Sequence, residues 1–89
     1  MNNKTYTFYS DPSHGWLEVS KKEIEELGII NNVSQYSYIN QDMIYLEEDS
    51  DASIFINSYK SKYGINPNIY ESNQDNNNIR NYSRFKKGK

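Results

Sequence analysis

The sequence predicts an α+β domain: one antiparallel or mixed sheet with two helices packed on one face, in the order ββαββαββ. Three observations carry that expectation. Short runs rich in Thr, Tyr and Phe alternate polar with apolar residues, which is the period of a half-buried strand. Two segments carry helical start and stop signals. Turn-forming residues separate the runs at short, regular intervals.

Residues Thr5–Ser10 form the first expected strand, with Tyr6 and Phe8 on one face and Thr5, Thr7 and Tyr9 on the other. The segment Asp11-Pro12-Ser13-His14-Gly15 reads as a turn, in which proline presets φ and Gly15 tolerates a positive one. Trp16–Val19 returns as a strand. Ser20 and Glu23 make an S-x-x-E capping box, and Val19 and Ile24 occupy the two positions of a hydrophobic staple. A helix of about two turns therefore starts at Ser20, and Gly28 closes it.

The stretch from Val33 to Gly64 organises the chain. It reads as a strand (Ser34–Ile39), a turn (Asn40-Gln41-Asp42), a second strand (Met43–Glu48), an acidic corner and a helix. The face of the second strand holding Ile44 and Leu46 is the better core candidate. In the first strand Tyr36 and Tyr38 share a face opposite Ser37 and Ile39, and the pattern does not say which is buried. The helix presents Ala52, Phe55, Ile56, Tyr59 and Tyr63 on one side of a 3.6-residue repeat. Asp49 or Ser50 is its expected cap, Gly64 its end, and Pro67 blocks resumption. Lys60 and Lys62 in the last turn complement its dipole. Asn68–Ser72 and Ile79–Phe85 are the last expected strands, with a polar loop over 73–78 between them.

At 89 residues the chain is one domain, expected over residues 1–85, with a basic tail at 86–89. It has no cysteine, which excludes disulfides, thiolate metal sites and cysteine nucleophiles. No apolar run approaches the roughly 18 residues of a membrane span. Met1–Lys4 lacks the apolar core of a signal peptide. A cytoplasmic protein without a cofactor is expected. Nine tyrosines against two valines mean that aromatic rings must supply much of the core. The abundance of Asn, Ile, Lys and Tyr, all with A/T-rich codons, points to an AT-rich bacterial, phage or plasmid genome. The net charge of −2 is unevenly placed. Residues 1–78 hold five Lys against twelve Asp and Glu, a net of −7, and residues 79–89 hold Arg80, Arg84, Lys86, Lys87 and Lys89, a net of +5.

Each candidate site has a plain structural alternative. His14 is the only histidine, and a base needs a nucleophile, an acid or a metal beside it. A turn histidine against Trp16 or a carboxylate is the simpler reading, and no catalytic residue is assigned. The cluster Glu47, Glu48, Asp49 and Asp51 lacks the calcium-loop pattern, so no metal is assigned. Acids at a helix start are stabilising there, yet four exceed what a cap requires. They are read, with Tyr36 and Tyr38, as a surface that contacts a basic protein. Tyr36 and Tyr38 could also stack bases, and Arg80, Arg84, Lys86 and Lys87 could contact phosphates. Against base stacking, the simpler reading is that the rings line the core beneath a helix, valine and leucine being so few, and a lysine-rich end commonly only solubilises. The P-loop, dinucleotide-binding, zinc-protease and nucleophile-elbow patterns are all absent.

Four strings carry a resemblance: Tyr9-Ser10-Asp11-Pro12-Ser13-His14-Gly15-Trp16-Leu17-Glu18-Val19; Tyr36-Ser37-Tyr38; Tyr45-Leu46-Glu47-Glu48-Asp49-Ser50-Asp51-Ala52; and Ile79-Arg80-Asn81-Tyr82-Ser83-Arg84-Phe85. Over residues 6–85 the chain resembles a family of small, uncharacterised proteins of bacterial phages and plasmids. That family shows D-P-G-H-G-W-L-x-V, Y-S-Y, Y-L-E-E-D-x-D-A and I-R-x-Y-x-R-F in turn. Ser13 stands where its glycine is usual. The resemblance implies a mobile-element origin and carries over no functional residue. Small proteins of that origin often interfere with host defence, as anti-CRISPR proteins do, which is an association and not a chemical argument. The expected function is thus non-enzymatic contact with a host protein, such as a defence nuclease, with weak or no nucleic-acid binding and no membrane. The alternative is a nucleic-acid-binding module that uses the sheet tyrosines and the basic end.

Overall fold

Six strands form one mixed sheet. β1 (Thr5–Ser10) and β2 (Gly15–Ser20) make the first hairpin, and β3 (Tyr38–Asn40) and β4 (Met43–Glu47) the second. β5 (Asn68–Asn73) and β6 (Ser83–Arg84) lie at the two edges, giving the order β5-β1-β2-β4-β3-β6. β5 runs parallel to β1 and every other pairing is antiparallel. The helices are α1 (Lys21–Glu26) and α2 (Asp51–Tyr63). This is a computed structural model, and it describes residues 4–73 and 78–86, with only the backbone of Arg80.

The α+β class and the ββαββαββ order expected from the sequence are present. α1 starts as its box predicts: the Ser20 hydroxyl accepts from the Glu23 N–H at 3.2 Å. It ends in a Schellman motif. Gly28, at φ 73°, donates to the Glu25 carbonyl, and Ile29 donates to the Ile24 carbonyl. Ile24 and Ile29 are both buried in the main core, the apolar contact that accompanies this motif. Gly64, at φ 78°, ends α2 in the same left-handed conformation.

Gly15 is used differently from the expectation. Its φ is not positive. Its lack of a side chain makes room for the Phe8 ring, whose Cζ would stand 2.3 Å from a Cβ at that position.

The sheet has an apolar cluster on each face. Leu17, Val19, Ile44 and Leu46 meet Ile24 of α1 and Ala52, Phe55 and Tyr59 of α2 on one side. Tyr6 joins them edge-on, its ring 5.1 Å from Phe55 and 6.0 Å from Tyr59. The other side carries Trp16, Tyr38 and Tyr45, capped by Ile79 and flanked by Tyr9, Met43 and Tyr82. This second cluster explains how a chain poor in valine uses its rings: they cover the face that the helices leave open.

Four sequence expectations are corrected. Ser34–Ser37 is a turn and not the start of β3, because its polar groups bond to Asp51 rather than to a neighbouring strand. Ile79–Phe85 is not one strand. Residues Ile79–Asn81 form a 3-10 turn over the second cluster, and only Ser83–Arg84 pairs with β3. Tyr63, expected on the buried side of α2, is 41% exposed. Tyr36 and Tyr38 do not lie beneath a helix: Tyr38 is in the cluster on the opposite face, and Tyr36 is exposed.

The radius of gyration is 12.3 Å, against about 12 Å for one packed unit of this length. No helix among the described residues is long and apolar enough to cross a membrane.

Candidate functional site

The corner between β4 and α2 is built on a buried carboxylate. Asp51, 1% exposed, accepts hydrogen bonds at Oδ2 from the Ser34 N–H (2.9 Å), the Ser34 hydroxyl (2.7 Å) and the Ser37 hydroxyl. Ser37 Oγ in turn accepts from the Glu47 N–H at 2.9 Å, and the Ser37 carbonyl from the Phe85 N–H at 2.9 Å. A buried carboxylate is tolerated where several donors satisfy it. The expectation that Asp51 belongs to an exposed acidic surface is therefore corrected. Its side chain ties the start of α2 to the turn that carries Tyr36.

The helix cap also differs. Ser50 is the N-cap by position, yet its side chain makes no capping bond and donates to Asp51 Oδ1 at 3.3 Å. Glu47 Oε2 accepts from the Asp49 N–H at 3.0 Å and so closes the acidic turn. The Glu48 N–H donates to the Gly15 carbonyl, anchoring the corner to the start of β2.

These restraints shape a cleft of about 660 Å³ at one end of the sheet. It is lined by His14, Trp16, Ser34, Tyr36, Tyr38, Glu47, Asp49, Ser50 and Arg84. Strand register explains the assembly. Trp16 is the cross-strand neighbour of Glu47, and Tyr38 that of Arg84. The Trp16 and Tyr38 rings meet edge-on at 6.2 Å, and the His14 ring lies 6.0 Å from Trp16. Arg84 holds its guanidinium 5.1 Å from the Tyr38 ring centroid and donates to the Gln35 carbonyl at 3.2 Å.

Of the acids expected in a contact surface, Glu47 and Asp49 line the cleft, Glu48 is exposed on the same turn, and Asp51 is buried behind it. Of the two tyrosines, both line the cleft; Tyr36 is 64% exposed and Tyr38 is buried. Of the basic residues, Arg84 joins the acids and Lys86 is exposed beyond them. Lys87 and the side chain of Arg80 lie outside the described residues.

The sequence reading missed Trp16 and His14 as cleft residues. The signal was the string His14-Gly15-Trp16 at a strand start, which has meaning only once β2 is paired with β4. The His14 ring makes no hydrogen bond to a carboxylate or hydroxyl among the described residues, so no nucleophile–base pair is assembled there. Among the described residues no three His, Asp or Glu side chains are grouped to hold a metal ion. The single ion pair among them is Lys4–Glu23, at 2.9 Å and far from the cleft in sequence. Glu47, Glu48 and Asp49 thus have no cationic partner within the described chain.

On the cluster side of the same face, the Tyr45 hydroxyl donates to Glu18 at 2.8 Å. Burial first, then that bond and the Glu18 charge, push the Tyr45 hydroxyl far above the ordinary phenol range. Tyr45 packs in the same cluster as Trp16 and Tyr38, two of the residues that line the cleft.

No protein-family model, curated protein or solved structure matches the chain.

Proposed function

We propose that the protein is a small non-enzymatic binding protein of a phage or mobile element, acting in the host cytoplasm by contact with a host protein. A defence nuclease or its complex is the favoured class of partner. One observation carries the contact reading: exposed Tyr36 and the carboxylates of Glu47 and Asp49, neither of which has a cationic partner among the described residues, share one aromatic cleft. Tyrosine is enriched in interfaces, and acidic groups complement the basic grooves of nucleic-acid-handling proteins. The mobile-element origin rests on the resemblance of the four strings, which are also the segments that meet around this cleft.

Affinity capture from a bacterial host lysate tests the reading, with the double variant Glu47→Lys/Glu48→Lys run beside the parent. A protein retained by the parent and lost by the variant, with the variant still folded, supports it. Equal retention by both contradicts it.

A second reading has one observation in its favour. Arg84 and the two tyrosines share the cleft, a combination that also suits single-stranded nucleic acid. The −7 body opposes it. Deleting residues 86–89 should weaken any such binding and flatten its salt dependence.

A further inference from the structure

We propose that the cleft receives an arginine side chain of the partner protein, with its guanidinium against the exposed Tyr36 ring and paired with the Glu47 and Asp49 carboxylates. This rests on the contact reading above and names the group that the cleft recognises.

The walls carry aromatic rings, and two carboxylates, Glu47 and Asp49, outnumber the one cation, Arg84. Tyr36 supplies an exposed ring, with Trp16 and Tyr38 buried behind it, and Glu47 and Asp49 supply carboxylates that no cation of the described chain pairs with. An occupant must therefore bring a positive charge and a flat or apolar body. Guanidinium does both: it stacks on aromatic faces and pairs with carboxylates through parallel N–H groups. An ammonium is a compact, strongly hydrated point charge and gains less from the rings.

The chain itself shows that one ring of this cleft, Tyr38, accepts this group. The Arg84 guanidinium sits over Tyr38, with one N–H on a backbone carbonyl. Its place in the register is beside Tyr38, whereas Glu47 is beside Trp16. Arg84 and Glu47 thus belong to different rows of the sheet. Phosphate oxygens would face Glu47 and Asp49 on entering the cleft, which makes a nucleic-acid backbone the poorer occupant.

The test is a titration of the isotope-labelled full chain with N-acetyl-arginine amide, followed by amide NMR and by fluorescence of Trp16, the only tryptophan. Parallel arms use the lysine and citrulline amides and a single-stranded oligonucleotide. Saturable shifts centred on Trp16, Tyr36, Tyr38 and Glu47 are expected with arginine amide, at least about tenfold weaker with neutral citrulline amide, and intermediate with lysine amide. Glu47→Gln and Tyr36→Ala should each weaken the response about tenfold. Tyr36 is exposed, so its variant should keep the parent melting temperature.

Citrulline or lysine amide matching arginine amide would overturn the assignment. So would shifts that avoid the cleft, or an oligonucleotide that perturbs the same residues more tightly. If arginine amide fails while a lysate protein is still lost on Glu47→Lys/Glu48→Lys, the contact reading stands and the arginine assignment falls. If arginine amide binds and no lysate protein depends on those acids, the cleft chemistry stands and the contact reading falls.

Discussion

The Ser37 hydroxyl donates to the buried carboxylate of Asp51, and through this bond the turn carrying Tyr36 is fastened to the first turn of α2. Ser34 adds two more donors to the same oxygen. The cleft and the core are consequently one structure: the group that sets Tyr36 in place is inside the fold.

Asp51→Ala should leave the Ser34 and Ser37 groups without their acceptor in a buried setting. Lost hydrogen bonds to a charged group cost about 1.5–3 kcal/mol each, so a loss of about 3 kcal/mol or more is expected in urea unfolding. Glu48→Ala, on an exposed residue of the same turn, should change stability by no more than about 0.5 kcal/mol. Equal effects for the two would refute the division of the acidic cluster into a buried part and a presented part.

Phe55 is fully buried at the centre of the α2 face and touches Tyr6 and Tyr59. Phe55→Ala should cost about 3–5 kcal/mol, a large fraction of the stability of so small a domain. An unchanged melting temperature would contradict the packing of α2 on the sheet.

Glu23 gives the fold an acid-sensitive contact. Burial raises its carboxyl, but hydrogen bonds from Lys4, Tyr6 and Ser20, with the Lys4 charge, outweigh burial and hold it below the ordinary value. The folded pKa is thus lower than the unfolded one, and the unfolded state takes up the proton first. Stability from this group is complete above the unfolded carboxylate pKa of about 4.3. It is lost as pH falls from there through the folded value. Melting temperatures measured downward from pH 6 should fall less steeply for Glu23→Gln than for the parent. Parallel curves would show that the three hydrogen bonds have no net effect.

Most of the frame was legible in the sequence because it rests on local signals. The Ser20–Glu23 box, the Gly28 and Gly64 ends and the Phe55 face each lie within a few residues of what they determine. The cleft was only partly legible. Glu47, Asp49, Tyr36 and Tyr38 were singled out, but the partition of Asp51 from the other acids depends on Ser34 and Ser37, 17 and 14 residues away. Arg84 was read with a distant basic end, whereas β3–β6 pairing sets it beside Tyr38. The run Ile79–Phe85 alternates like a strand, yet Ile79 is drawn out of strand geometry to cover Trp16, Tyr38 and Tyr45. Period-2 patterning does not distinguish a strand from a segment that caps the far side of a sheet.

The central claim is that the presented acids beside the aromatic cleft are a contact surface for a basic partner. Rim charges act chiefly on the association rate and its salt dependence. The most direct measurement is the association rate of Glu47→Lys/Glu48→Lys with the host protein captured by the parent chain, taken with a melting curve of the variant. The prediction is a cooperative melting curve lowered only by the lost Glu47–Asp49 bond, about 1 kcal/mol, and an association rate lowered about tenfold or more at low salt, the difference shrinking as salt is raised. An intact fold with an unchanged association rate would contradict the claim and leave the acids as a solvated helix start.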